Sequence, residues 1–175
     1  PEQYFKMKTD ERLSKKIFDF EIFSYLKNIF TQLEIDFLYT LHERYKSRIV
    51  KLSPELIKKE FDRLTIELSW KSSEIEGNTY TLLETEMLIC DKIEAPGHKK
   101  DEASMILNHK IALDYIWHNQ ERFKKISFRE IENVHSLLIN DLNVKRGLRS
   151  SLIGIVGTAY RPLDNIHQIR EAIDQ

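Results

Sequence analysis

SPELIKKEFDRLTIELSWKSSEIEGNTYTLLETE, residues 53–86, is the stretch on which the fold turns. Ser53-Pro54-Glu55 is a helix start. It combines a capping hydroxyl, a proline at the first helical position and an acid in the first turn. Apolar side chains then recur at helical spacing, at Ile57, Phe61, Leu64, Leu68 and Ile75, with small Ser72 on the same face. Gly77 is a natural stop. The pattern predicts one long amphipathic helix over residues 54–76, with Glu76 in its last turn. Thr81-x-x-Glu84 is a capping box that opens a second helix to about Lys92.

Working outward, Ala95-Pro96-Gly97 breaks the chain, and helical spacing returns from Asp101 to Asn119 through Ile106, His109, Leu113 and Ile116. Ser127 to Glu130 reads as another capping box, followed by Ile131, Val134 and Leu138 on one face. Between Gly147 and Asn165 the pattern changes: Gly147, Gly154, Gly157 and Pro162 separate Leu152, Ile153, Ile155 and Val156. That predicts a short hairpin or extended flap at about 150–163. A last helix begins near Ile166 and keeps its period at Ile169 and Ile173. Toward the N-terminus, residues 1–52 read as a helical region of two helices, one over Ile17 to Phe30 and one carrying Leu33, Phe37, Leu41 and Tyr45. The whole is a mainly α fold.

Composition narrows the function classes. Lys plus Arg number 27 against 28 Asp plus Glu, so net charge gives no reason to expect nucleic acid or an anionic membrane as partner. Cys90 is the only cysteine, which excludes a disulfide framework and a thiolate metal cluster within the chain. Its apolar neighbours Leu88 and Ile89 predict a buried, inert thiol. No signal-peptide pattern or membrane-length apolar run is seen, so a cytoplasmic setting is expected.

The residues by themselves carry little chemistry. None of the six histidines lies in a His-Glu-x-x-His pattern, and His109 and His135 fall on or near apolar helix faces, where a hydrogen-bonded boundary histidine is the plain reading. Neither common Gly-rich phosphate loop is present. The basic run Lys145-Arg146-Gly147-Leu148-Arg149 reads as a solvated helix end, with a phosphate or backbone-carbonyl contact as the sharper alternative.

One string says more. Ser72-Ser73-Glu74-Ile75-Glu76-Gly77-Asn78-Thr79-Tyr80-Thr81-Leu82 resembles the inhibitory motif of Fic proteins, with Ser72, Glu76 and Gly77 in its key places. Three further stretches resemble the family in order: Asp101 to Tyr115 with Glu102, Asn108 and Ala112; Ile131 to Asn140 with His135, Leu137 and Leu138; and Gly147-x-Arg149 followed by Ile155-Val156-Gly157 and Pro162. The likeness runs from about Ser53 to Gln175.

What the resemblance implies is a Fic-type helical fold whose enzymes transfer AMP from ATP, with Mg²⁺, to a Ser, Thr or Tyr hydroxyl of a target protein. Ser72, Glu76 and Gly77 would be the inhibitory residues, and Val156, Gly157, Thr158 and Ala159 the flap over ATP and the target segment. The family's His-x-Phe-x-Asp/Glu-Gly-Asn-x-Arg catalytic loop does not occur here, and His167 stands where members often have Pro. The chain is therefore expected to be the front portion of such an enzyme, inactive alone, with no catalytic or metal-binding residue of its own and the loop beyond Gln175. Two other readings stay open: a non-catalytic interaction or regulatory module on the same helices, and a relative that transfers another group or removes AMP. A homodimer is compatible with each.

Overall fold

The computed structural model describes residues 6–8 and 15–175, so the expectation of helix for the other N-terminal positions lies outside the described residues. Among the described residues the chain forms eight helices, α1 (Ile22–Tyr25), α2 (Gln32–Ile49), α3 (Pro54–Ile75), α4 (Leu82–Asp91), α5 (Lys100–His118), α6 (Gln120–Phe123), α7 (Phe128–Leu138) and α8 (Ile166–Asp174). The fold is mainly α, as the patterning predicts. Two compact units can be distinguished, one of Leu38–Gly147 and one of Pro1–Phe37 with Leu148–Gln175. No helix of the described residues is long and apolar enough to cross a membrane.

The Leu38–Gly147 unit is built around α5. Ser53 starts α3 by accepting a hydrogen bond from the Leu56 N–H (3.3 Å), and Thr81 and Glu84 close a reciprocal capping box on α4. α3 packs on α5 more extensively than any other helix does. Phe61 stacks on Trp117 (ring centroids 4.1 Å apart), while just past the other end of α3 Asn78 donates to the Glu102 carbonyl (2.8 Å). Early residues thus meet late ones, and the two helices run antiparallel. α7 meets α5 in the same sense, through Asn108 on the Leu138 and Asn140 carbonyls and Tyr115 on Glu130. The core between α3, α4 and α5 gathers Tyr80, Leu88, Ile89, Ala103 and Ile106. Each of its large side chains contributes about 1.5–3 kcal/mol by leaving water.

Packing departs from the sequence reading in one instructive way. The buried stripe of α3 is Thr65, Ser69 and Ser73, all at most 3% exposed, whereas Leu64, Leu68 and Ile75 are 48%, 41% and 85% exposed. The buried row runs on from half-buried Ile57 and Phe61 through Thr65, Ser69 and Ser73, so beyond Phe61 the inward face lies one residue on from Leu64, Leu68 and Ser72, about 100° round the helix. Small side chains let two helices approach closely, and that fit outweighs the apolar count. The hydroxyls of Thr65, Ser69, Ser73 and Thr85 have no hydrogen-bond partner among the described residues.

Other expectations also change in detail. The aromatic stretch from Ile17 to Phe30 yields only the single turn α1, with Phe18, Phe20 and Phe23 clustered at centroid distances of 5.1 to 6.2 Å. α2 forms as expected, but its apolar row Leu33, Phe37, Leu41 and Tyr45 is exposed. Cys90 is exposed rather than buried, because Leu88 and Ile89 take the inward positions of α4. Ser127 caps α7, yet the Glu130 carboxylate turns inward to Tyr115 and Asn133 instead of back to the cap. The expected β-hairpin at 150–163 has no paired strands. A lone parallel bridge joins Ile17 to Arg161, in which the Arg161 N–H donates to the Lys16 carbonyl (2.7 Å).

Candidate functional site

α3 ends on Glu76, its C-cap. The helix closes in a Schellman motif: the Gly77 N–H donates to the Glu74 carbonyl and the Asn78 N–H to the Ser73 carbonyl, both at 3.0 Å. The motif needs a left-handed residue, and Gly77 supplies it at φ +92°. Glu76 itself is the C-cap, is exposed, and makes no side-chain hydrogen bond or ion pair among the described residues. Ser72, one turn earlier, is half-buried. Ser72, Glu76 and Gly77 thus share one helix end.

That helix end is held from below. Asn78 is 7% exposed, and besides its bond to the Glu102 carbonyl its side-chain oxygen accepts from the Tyr80 N–H (3.0 Å). The Thr79 N–H and hydroxyl both donate to Glu102 Oε2 at 2.7 Å. Those bonds, the hydroxyl first and the backbone second, pull the Glu102 carboxyl down to about 2, against the opposing effect of desolvation. His98 completes the clasp. Its Nδ1 lies 2.8 Å from Thr79 Oγ1, its Nε2 is 3.4 Å from Glu84 Oε1, and its ring packs on Tyr80 at 4.2 Å. Trp70 adds a bond from Nε1 to the Tyr80 carbonyl (3.0 Å). Sequence reading missed this role of Thr79, His98 and Glu102. The signal was the four-residue spacing of His98 and Glu102 across a helix start.

The flap residues belong to the other unit. Ile155 to Thr158 form a β-turn in which the Thr158 N–H donates to the Ile155 carbonyl (3.2 Å) and Gly157 takes the third place at φ +79°. Val156 is fully exposed, Ala159 is exposed, and nothing stands within 4 Å of where a Gly157 side chain would begin. Arg149 ties the base of the loop together by donating to the carbonyls of Ser151 and Leu163.

No protein-family model, no curated protein and no solved structure matches the chain. Its function must be argued from its own residues. Among the described residues no group of three or more His, Cys, Asp or Glu side chains is gathered as a metal-ligand cluster. The turn at 155–158 offers backbone groups and space, but no Gly-rich phosphate loop accompanies it. What the arrangement can do is present one unpartnered carboxylate, rigidly, from a clasped helix end.

Proposed function

We propose that this chain is the front portion of an autoinhibited Fic-type protein adenylyltransferase, in which Glu76 is the inhibitory carboxylate. The observation that carries the reading is the exposed Glu76 side chain, without a partner, at a helix end clasped by Asn78, Thr79 and Glu102. A carboxylate so placed competes with a phosphate for a guanidinium fork, since both bind it through two oxygens. In the parent enzyme ATP supplies the AMP group. Glu76 occupies the arginine that would otherwise hold the outer phosphates, and Ser72 and Gly77 set the position of the helix end. The 155–159 turn covers the nucleotide and docks an extended target segment by backbone pairing.

The test is Glu76→Gly in the full-length parent protein. AMP transfer to target hydroxyls, including self-modification, should rise, while the 175-residue chain alone transfers nothing above a blank. Equal transfer by folded wild type and variant would reduce Glu76 to an ordinary helix-end acid. An alternative, an interaction module without catalysis, draws on the exposed row Leu64, Leu68 and Ile75 along α3. A parent sequence lacking the His-x-Phe-x-Asp/Glu-Gly-Asn-x-Arg loop would favour it.

A further inference from the structure

A cleft of about 730 Å³ opens along α5 and α7, within the range of small-ligand sites. Its charged lining is Arg122, Arg129 and Arg146, and no carboxylate lines it. Asn108, Tyr115 and Asn133 add polar groups, and Ile111 and Leu137 an apolar patch.

The polar part is organised by a group lying behind it. Glu130 is 8% exposed, and its Oε2 accepts from the Tyr115 hydroxyl (2.8 Å) and from Asn133 Nδ2 (3.2 Å). With its proton committed to Glu130, the Tyr115 oxygen faces Arg122 Nη1 and Asn133 Nδ2, both at 3.4 Å. Arg122 Nη1 also stands 3.9 Å from Glu130 Oε1. Asn108, 4% exposed, pins the turn after α7 through the Leu138 and Asn140 carbonyls, fixing one rim of the cleft.

Charge is left over. Glu130 sets a single negative charge against both Arg122 and Arg129, so three guanidiniums face one carboxylate, and Arg129 and Arg146 make no side-chain hydrogen bond among the described residues. A guanidinium presents a planar fork that matches phosphate oxygens, so three guanidiniums lining one cleft with no carboxylate in its wall favour a compact, multiply charged oxyanion. We propose that this cleft binds a small phosphate-bearing anion, held by Arg129 and Arg146 and flanked by Arg122. This site is separate from the Glu76 helix end and does not depend on the function proposed for it.

The test is a titration of the 175-residue chain with inorganic pyrophosphate, followed by calorimetry and by amide and guanidinium NMR signals. Saturable binding is expected, with shifts centred on Arg122, Arg129 and Arg146. Arg129→Ala and Arg146→Ala should each weaken it at least about tenfold, the loss expected of a charge-assisted hydrogen bond. Arg129→Lys keeps the charge, removes the fork and guards against a misfolded alanine variant; it too should weaken binding. No saturation up to about 10 mM pyrophosphate in the folded chain would overturn the proposal, since binding would then be weaker than about 3 kcal/mol. So would binding that all three variants leave unchanged. Binding of a phosphoserine peptide without any of pyrophosphate would overturn the small-molecule assignment as well.

Discussion

At the scale of single residues, two glutamates twenty-six positions apart in the chain do opposite things. Glu76 is exposed and unengaged, whereas Glu102 receives three hydrogen-bond donors from Thr79 and Lys99. The freedom of the first rests on the commitment of the second. Losing a charged competitor from a desolvated fork commonly changes binding enough to alter a rate by more than about tenfold, and that is the rise in AMP transfer that the proposed function predicts for Glu76→Gly in the full-length protein. Glu102 makes a separate prediction. Its carboxyl is depressed from 4.5 to about 2, so its stabilising contribution is complete above pH 4.5 and is lost as the pH falls through that interval. The urea midpoint of the wild type should therefore exceed that of Glu102→Gln at neutral pH, and the gap should close as the pH is lowered toward 2. A gap that stays constant from pH 7 to 3 would show that Glu102 acts through shape alone.

At the scale of elements, the helices were legible and their rotations were not. Ser53-Pro54 and Thr81-x-x-Glu84 mark starts through chemistry local to the chain, and the structure begins α3 and α4 at those places. Which side of α3 faces α5 is decided by the neighbour, and a count of apolar side chains on one helix contains nothing about that neighbour. Leu64 and Leu68 gave the stronger stripe, but Ser69 and Ser73 gave the closer approach. Leu68→Ala should accordingly change the unfolding free energy by less than about 1 kcal/mol, while Ser69→Leu, forced into a position with no exposed surface, should cost about 1–3 kcal/mol or more. Chemical denaturation of the two variants would check this, and the opposite order would restore the apolar face to the interior. The 150–163 segment is extended rather than a hairpin for a related reason. Its alternation of glycines and β-branched residues suits a hairpin, but a ladder needs a partner strand, and Arg149 closes the loop by its ends instead. The site was legible in part: the identity and position of Glu76 and Gly77 could be read from the string, but the clasp beneath them joins residues brought together only by folding.

At the scale of the whole molecule, the described ion pairs are mostly exposed pairs three or four residues apart on one helix, such as Arg63 with Glu60 and Glu67, and contribute little to holding helices together. In the Leu38–Gly147 unit cohesion comes from the Tyr80–Ile106 core, the Phe61–Trp117 stack and the clasp of residues 78–80 on residue 102. These contacts all cross the link from Lys92 to Lys99, and none depends on its continuity. The link is non-helical, mostly exposed at Ile93, Glu94, Pro96 and Gly97, and contains the one Pro-Gly pair of the chain. A protease that nicks it should leave the two pieces associated, eluting together from a sizing column and parting only in denaturant. Pieces that separate in plain buffer would show that chain connectivity is needed to hold the unit together. If they stay together, the helix that carries Glu76 and the helix that anchors it could be made as separate polypeptides and mixed. The Glu76 arm would then become a part that can be exchanged.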